Sequence, residues 1–241
     1  QWIKGHVHVH HSSTNVVGKD DDIELAPFAR LAPQQTRYPW HRGQHLYLWA
    51  LYCFTAGSIM VADVVGIVSQ SIAGDRHGKR PSVADYTVLF ATKAAFVVAM
   101  VVVPLLLHPW WIVLLGIGLT LAVTGLLLGV VFQLAHAVEQ ADFRTSDERL
   151  ECTWHEWQVR STVDFCHGKG PVARLVTWYT GGLNYQTEHH LFPRVPHTAY
   201  PHITDVVRAV CARYEIPHQV QLTLRAAVAS HYRHLRRLGQ A

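Results

Sequence analysis

The first residues of the sequence contain a histidine cluster with the spacing of metal ligands. On a helix, His6 and His10 lie one turn apart on the same face, His11 lies beside them, and His8 points elsewhere. Imidazole nitrogens are common ligands of zinc, copper, nickel and iron in proteins. Three imidazoles that converge from one short segment therefore predict a metal site.

A second cluster lies near the other end of the chain, in the run GGLNYQTEHHLFP. Gln186 precedes His189 by three residues and His190 by four, so one helical face again presents three nitrogen or oxygen ligands. Between the clusters, His136 directly follows a long apolar segment. A lone histidine there is more often an interfacial side chain than a ligand, but the two other clusters favour a ligand role.

The composition restricts the class of protein. Of the 241 residues, 49% are hydrophobic and only 16% are charged, which argues against a disordered chain or a coiled coil. Histidine is unusually frequent, with 18 residues against 17 for Asp and Glu together. The four cysteines are isolated, so neither a zinc knuckle nor a disulfide framework is indicated. Although the net charge is +4, aromatic residues do not alternate with basic ones, so no nucleic-acid partner is expected.

Two apolar segments must position the histidines relative to a membrane. Residues 110–135 contain no charged residue, and residues 88–107 contain only Lys93. Each is long enough to cross the hydrocarbon core of a bilayer as a helix. Because only His108 and Pro109 separate them, we predict a transmembrane helical hairpin. A buried hairpin in a soluble core is the less favoured alternative.

A third apolar segment, residues 46–68, is ambiguous because it carries Asp63, which is costly at bilayer depth. If both clusters and His136 share one metal centre, the number of membrane crossings between the first cluster and His136 must be even. The hairpin already supplies two crossings, so we predict that 46–68 is an interfacial or re-entrant helix. Since Lys93 is the only Lys or Arg within the hairpin, the positive-inside rule places the remainder in the cytoplasm.

The predicted fold class is therefore an all-α integral membrane protein. It consists of a transmembrane helical hairpin, an interfacial helix, and a cytoplasmic helical cap that carries the histidine clusters. Residues 136–241 form most of this cap. The sequence from Pro217 is predicted to be a surface-docked amphipathic helix that ends in Arg233, Arg236 and Arg237.

Three runs of this sequence resemble the histidine motifs of membrane fatty acid desaturases. HVHVHHSSTNVVGKDDDIEL is similar to the second histidine box, and FQLAHAVEQADF to the histidine after the last membrane helix. GGLNYQTEHHLFPRVPHTAYP is similar to the third box in its glutamine-containing form, typical of the front-end and linoleoyl-CoA-type branch. The resemblance covers residues 1–241 as one desaturase domain, its carboxy-terminal portion.

The resemblance implies a centre of two iron ions that uses O2 as co-substrate to desaturate a long-chain fatty acyl group. Carried over by position, the metal ligands are His6, His10, His11, His136, Gln186, His189 and His190. Gln186 would act through a water molecule. Asp164 and Glu188 are the weaker predictions, as acceptors that orient the ligating histidines. The chemistry of the reaction is consistent with this assignment, because oxidation of an unactivated methylene group requires a metal or radical cofactor.

The implied partners are a fatty acyl substrate, as a CoA thioester or in a lipid, and the lipid bilayer. The electron donor would be a separate protein, such as cytochrome b5 or a ferredoxin with its reductase, because no His-Pro-Gly-Gly haem motif occurs. The family's earlier His-x-x-x-His box and a further transmembrane pair are not found ahead of Gln1. We therefore expect this chain by itself to be inactive or deficient in metal.

Two alternatives remain open at this stage. A fatty acyl hydroxylase would use the same scaffold and differ only in substrate placement. A non-catalytic membrane metal-binding homologue would retain the histidines without the oxidation chemistry. Transport of the metal is less favoured, since neither predicted span contains His, Asp or Glu.

Overall fold

A computed structural model describes residues 3–73 and 80–240 of the chain. The described residues divide into two compact units. One unit contains the segment Trp49–Gly129. The other, which we call the histidine unit, combines Ile3–Leu48 with the chain from Val130 onward.

Within the described residues the secondary structure is mainly helical. The α-helices are α1 (Gln44–Tyr52), α2 (Thr55–Ala73), α3 (Val83–Val97), α4 (Val103–Leu107), α5 (Trp110–His136), α6 (Trp154–Ser161), α7 (Pro171–Thr180), α8 (Gln186–Leu191), α9 (Tyr200–Arg213) and α10 (Leu224–Gln240). The π-helical segments are Ile3–His10 and Val98–Val102, and the 3-10 segments are Asp21–Ile23, Pro39–Gly43 and His197–Ala199. The strands are β1 (Val16–Val17), β2 (Arg144–Thr145), β3 (Asp164–Phe165) and β4 (Val220–Gln221).

Two helical stretches are long and apolar enough to cross a membrane. The first runs from Val83 to Leu107, with a mean hydropathy of 2.3, and the second is α5, with 2.4. The first begins before residue 88 because Ser82 caps it: its hydroxyl accepts a hydrogen bond from the Asp85 amide, and the Asp85 carboxylate accepts one from the Ser82 amide. Among the described residues, sheets are limited to two-stranded pairs, so the predicted fold class is confirmed.

The segment 46–68 forms parts of α1 and α2, which are bent by 74° at the break between them. Asp63 on α2 forms an ion pair with Lys93 on α3, with 2.9 Å between Oδ2 and Nζ. The bend is the geometry of either a broken span or a re-entrant pair. The interfacial or re-entrant assignment of 46–68 therefore stays a prediction.

Two glycines of α5 allow the break between α1 and α2 to approach that helix closely. A Cβ atom at Gly125 would lie 2.5 Å from the carbonyl oxygen of Cys53, and one at Gly129 would lie 2.8 Å from the side chain of Tyr52. These glycines are four residues apart and thus share one helical face. Small residues on this face permit backbone contact, as they commonly do between helices in membranes.

The histidine unit has its own small apolar core, built around the last turns of α5. Buried Leu134 and Ala135 of α5 pack in one cluster with Phe165 of β3, Ala173 of α7 and Ala227 of α10. The parallel pairing of β3 with β4, and of β1 with β2, joins segments that are distant in sequence. The core therefore fixes the end of α5 within the cap.

The amphipathic tail helix begins at Leu224, because Val220 and Gln221 pair with β3 as strand β4. Its apolar face is buried within the histidine unit, where Ala227, Leu235 and Leu238 are nearly inaccessible to solvent. The predicted surface-docked helix is thus packed against its own protein.

Candidate metal centre

The first histidine cluster lies on a π-helical turn. The backbone amide of His11 donates to the carbonyl of His6, which is the i to i+5 pattern, with 3.2 Å between nitrogen and oxygen. In this wider turn the His6 ring stacks on that of His10 at 4.9 Å and also meets that of His11 edge to face at 5.0 Å. The π-turn therefore brings three imidazoles together on one segment.

The six predicted histidine ligands form two groups of three. Within each group, the candidate ligand atoms all lie within 4.8 Å of one another. The inner triad, in which every residue is buried, consists of His10, His136 and His190. The outer triad, in which two residues are partly exposed, consists of His6, His11 and His189.

Each sequence cluster contributes to both triads, a division that helical spacing alone did not predict. On α8, consecutive side chains point about 100° apart because a helix has 3.6 residues per turn, so His189 and His190 enter different triads. The triads are adjacent, since the rings of His11 and His190 stack at 4.4 Å. The arrangement thus offers two neighbouring three-imidazole sites.

Carboxylates orient the histidines of the π-helical turn. His10 Nδ1 donates to both carboxylate oxygens of buried Asp20 at 2.9 Å, and His6 Nδ1 donates to Asp22 at 2.9 Å. Asp20 is itself held by the backbone amide of Asn15, at 2.8 Å. A ligating imidazole commonly donates its second nitrogen to such an acceptor, which fixes the tautomer and leaves the other nitrogen for a metal.

Neutral acceptors orient the histidines of α8. His190 Nδ1 donates to the side-chain oxygen of Gln158 on α6, at 2.9 Å, and His189 Nδ1 lies 3.3 Å from the hydroxyl of Tyr200 on α9. Thr14 also donates to the oxygen of Gln158, at 2.9 Å. Sequence analysis missed Gln158 and Tyr200, because neither belongs to a histidine motif.

Asn15, which sequence analysis also missed, joins the first segment to the rest of the histidine unit. Its backbone has a φ of 56°, a left-handed conformation in which asparagine is enriched. Its side-chain amide donates to the backbone carbonyls of His136, Asp142 and Ser161, at 3.1 to 3.2 Å. One buried side chain thereby connects the π-helical turn to the end of α5 and to α6.

The donor set fits a bound metal ion. Within the described residues, four buried ring nitrogens of the triads have no hydrogen-bond partner: His10 Nε2, His11 Nδ1, His136 Nδ1 and His190 Nε2. Buried polar atoms without partners are uncommon in folded proteins, so each one needs an explanation. A metal ion coordinated by these nitrogens would supply it.

The protonation states of His11, His189 and His190 also suit a metal. Burial, and then the neighbouring histidines, lower the pKa of His11 to about 2 and that of His189 to about 3. The same causes lower the pKa of His190. Burial lowers the pKa of His10 too, but the hydrogen bond and charge of Asp20 outweigh it, so the net pKa is raised. Neutral imidazole is the form that binds metal.

The other predicted site residues are placed around α8. Gln186 is buried, and its amide donates to the Leu183 carbonyl at 2.6 Å, so its ligand role through water stays a prediction. Asp164 accepts from the Thr187 amide at 2.9 Å and from His218 at 3.0 Å. Burial, and then the charge of Asp164, raise the pKa of Glu188 to about 7. The orienting roles of Asp164 and Glu188 also stay predictions.

Comparison with known proteins identifies similar sequences. Residues 1–221 match the family model described as fatty acid desaturase. An sn-1 linoleoyl-lipid 6-desaturase of Arthrospira platensis is 32% identical over 240 residues, covering 99% of this chain and 64% of that protein. An enzyme of the same name from Synechocystis sp. is 30% identical over 246 residues, covering 100% and 67%.

A fungal protein is similar to the same degree. The acyl-lipid (8-3)-desaturase of Mortierella alpina is 33% identical over 243 residues, covering 99% of this chain and 53% of that protein. The chain therefore spans about half to two thirds of the length of these relatives. No solved structure matches the chain.

Proposed function

Because the chain belongs to the fatty acid desaturase family, we propose that it provides the histidine-rich part of a di-iron enzyme that desaturates a fatty acyl group. The observation that carries this proposal is the pair of adjacent histidine triads. Two neighbouring metal sites suit an oxidation that uses O2, whereas one structural metal would need only one triad. The triads also contain all six histidines carried over from the family motifs.

In this proposal, the inner triad holds one iron ion and the outer triad holds the other. Gln186, at the first position of α8, is the additional ligand through water. When bound, the two irons supply the activation of O2 that breaking an unactivated C–H bond requires. Each triad provides three ligands, which leaves coordination positions open for ligands from elsewhere and for O2.

The two triads differ in burial, and this difference indicates the side from which the substrate approaches the metal centre. The inner triad lies in the interior of the histidine unit, where Asp20 and Gln158 hold two of its rings. The outer triad is partly exposed, and the His6 ring lies 5.9 Å from that of Phe132 near the end of α5. The acyl chain therefore approaches the metal centre from the side of the outer triad, near the residues of α5 where its apolar sequence ends.

The membrane context favours a lipid-linked substrate. Two helices are long and apolar enough to cross a membrane, and the names of the three relatives refer to acyl groups in lipids. We therefore place the substrate as an acyl-lipid in the bilayer and the histidines on the cytoplasmic side, where the positive-inside rule puts them. The electron donor is a separate carrier, cytochrome b5 or a ferredoxin with its reductase.

The proposal is tested by expressing the full-length gene that contains this chain and analysing cellular fatty acids by mass spectrometry. The expected product has lost two hydrogens, and His10→Gln abolishes it because the inner triad loses a ligand. His8→Gln is the matched control, since His8 is exposed on the same π-helical segment and belongs to neither triad. Unchanged product with His10→Gln would contradict the proposal.

The same experiment separates the alternatives. A product that gains one oxygen atom would identify a hydroxylase. A protein that carries about two iron ions per chain but forms no product under any electron donor would identify a non-catalytic metal-binding homologue.

A further inference from the structure

A third group of potential metal ligands lies in the histidine unit, apart from the two triads. Ligand atoms of Asp164, Glu188 and His218 all lie within 4.8 Å of one another. His218 Nε2 is 3.0 Å from Asp164 Oδ2, and His167 Nε2 is 3.9 Å from the same oxygen. Two carboxylates and two imidazoles are thus concentrated at one place, which we call the acidic cluster.

The acidic cluster is closed to solvent. Asp164 and Glu188 are fully buried, and the side chain of His218 is 5% exposed. These residues come from β3, from α8 and from the segment just before β4. Surface acidic groups gather without a ligand because water solvates them, but a buried group of this composition needs an internal counter-ion.

Glu188 is the residue that lacks such a partner. Within the described residues, neither of its carboxylate oxygens meets a donor in good hydrogen-bond geometry, although the Thr204 hydroxyl lies nearby. Asp164, in contrast, accepts from the Thr187 amide and pairs with His218. A fully buried carboxylate beside a second carboxylate, with no ion pair of its own within the described residues, has the environment of a cation ligand.

We propose that Asp164, Glu188 and His218 bind a divalent cation of the zinc class, separate from the two histidine triads. Oxygen ligands from two carboxylates and a nitrogen from one imidazole suit Zn2+. The bound cation would neutralise both carboxylates and give Glu188 the partner that it lacks.

Such a cation would act by crosslinking the chain. It would join β3 to α8 and to the segment before β4, and α8 carries His189 and His190. The cation would therefore stabilise the helix that supplies one ligand to each triad, although it would touch neither triad. This role does not depend on whether the triads hold iron.

The test counts metal ions on the whole chain in detergent. The protein is loaded with Fe2+ and then Zn2+ without oxygen, desalted, and analysed for both metals by mass spectrometry. We expect the wild-type chain to carry about one metal ion more than the His218→Gln variant, whatever number of ions the triads hold.

Two variants test whether this ion is bound at the acidic cluster. Glu188→Gln and His218→Gln should each lower the total by about one metal ion per chain. His218 is the more informative position, because it lies outside all the histidine motifs and its loss leaves both triads intact. Asp205→Asn is the control, since Asp205 is an exposed carboxylate on α9. If the His218→Gln variant and the wild type carry the same number of metal ions per chain, the acidic cluster does not bind a metal ion and the proposal is overturned.

Discussion

At the scale of single residues, the triads depend on neighbours that hold each imidazole in one tautomer. Gln158 shows the principle most clearly. Its side-chain oxygen accepts from His190 Nδ1 and from the Thr14 hydroxyl, each at 2.9 Å. With Nδ1 committed as a donor, His190 Nε2 is left without a partner and available to a metal. The acceptor thus has as much influence on the site as the ligand itself.

We predict that Gln158→Leu weakens metal binding about 10- to 100-fold, which is typical for loss of an acceptor behind a ligating histidine. Leucine has a similar volume but cannot accept the hydrogen bond from His190. The affinity is measured by competition with a chelator of known strength. Gln34→Leu is the control, because Gln34 is exposed. Equal affinities in wild type and Gln158→Leu would show that His190 needs no acceptor.

Two other buried histidines make stability depend on pH. His231 donates to the Ala137 carbonyl and His234 to the Leu31 carbonyl, at 2.6 and 2.8 Å. Burial lowers the pKa of each to about 4, whereas an unfolded histidine has a pKa near 6.5. Between these values the unfolded state binds more protons than the folded state. Stability is therefore complete above about pH 6.5 and decreases as the pH falls towards 4.

We predict a loss of about 1.4 kcal/mol of unfolding free energy per pH unit for each of these histidines within that range. Denaturant unfolding at pH 7 and pH 5 measures it. In the double variant His231→Asn/His234→Asn, the difference between the two pH values should be smaller than in wild type. The exposed His155→Asn should leave it unchanged. An equal difference in the double variant would assign the acid sensitivity to other groups.

At the scale of elements, the inner triad constrains the path of the chain across the membrane. His10 and His136 offer ligand atoms within 4.8 Å of each other, so they lie on one side of a bilayer. The Val83–Leu107 stretch and α5 are both long and apolar enough to supply two crossings between them. If both stretches cross the membrane, we expect the α1 and α2 pair to enter and leave on the same side. The bend of 74° between these helices and the pairing of Asp63 with Lys93 are compatible with that path.

We predict that Leu46→Cys and Ser69→Cys, at the two ends of this bent pair, react with an impermeant maleimide from the same face of the membrane. The background lacks the two partly exposed native cysteines, through Cys53→Ser and Cys152→Ser. His108→Cys, between the two candidate spans, is the control and should react from the opposite face.

One labelling result would contradict this topology. If Leu46→Cys and Ser69→Cys react from opposite faces, the bent pair is a third span. The inner triad could then not form as the structure has it.

At the scale of the whole molecule, the triads join segments that are far apart in sequence. The inner triad combines a π-helical turn at residues 3–10, the end of α5 and α8. Bringing such segments together costs loop-closure entropy, which bound metal helps to offset. Metal binding should therefore be linked to the stability of the histidine unit.

We predict that iron raises the melting temperature of the chain. At a thousandfold excess over the dissociation constant, a ligand adds about 4 kcal/mol, which corresponds to roughly 10 °C for a domain of this size. Thermal unfolding is followed with and without Fe2+ in the His218→Gln background, so that only the triads respond. His136→Ala should reduce the shift, and His8→Gln should not. If iron binds but the melting temperature does not change, metal binding is not linked to the stability of the histidine unit.

Much of this protein can be predicted from its sequence. The apolar segments that became the two candidate spans are recognisable because hydropathy over that length is a local property of the chain. The six histidines of the triads are recognisable because their spacing resembles a family motif. The family assignment follows from the same residues. These features depend on residue type and spacing, which are read directly along the chain.

Only the tertiary structure decided how the ligands are divided. Helical spacing placed the ligands of each cluster on one face, but a π-turn at Ile3–His10 and the angle between His189 and His190 distribute each cluster over two triads. The acceptor role of Gln158 and the full burial of Glu188 were likewise decided by packing. Spacing specifies which residues share a helical face, whereas the contacts of that face depend on segments that folding brings from elsewhere in the chain.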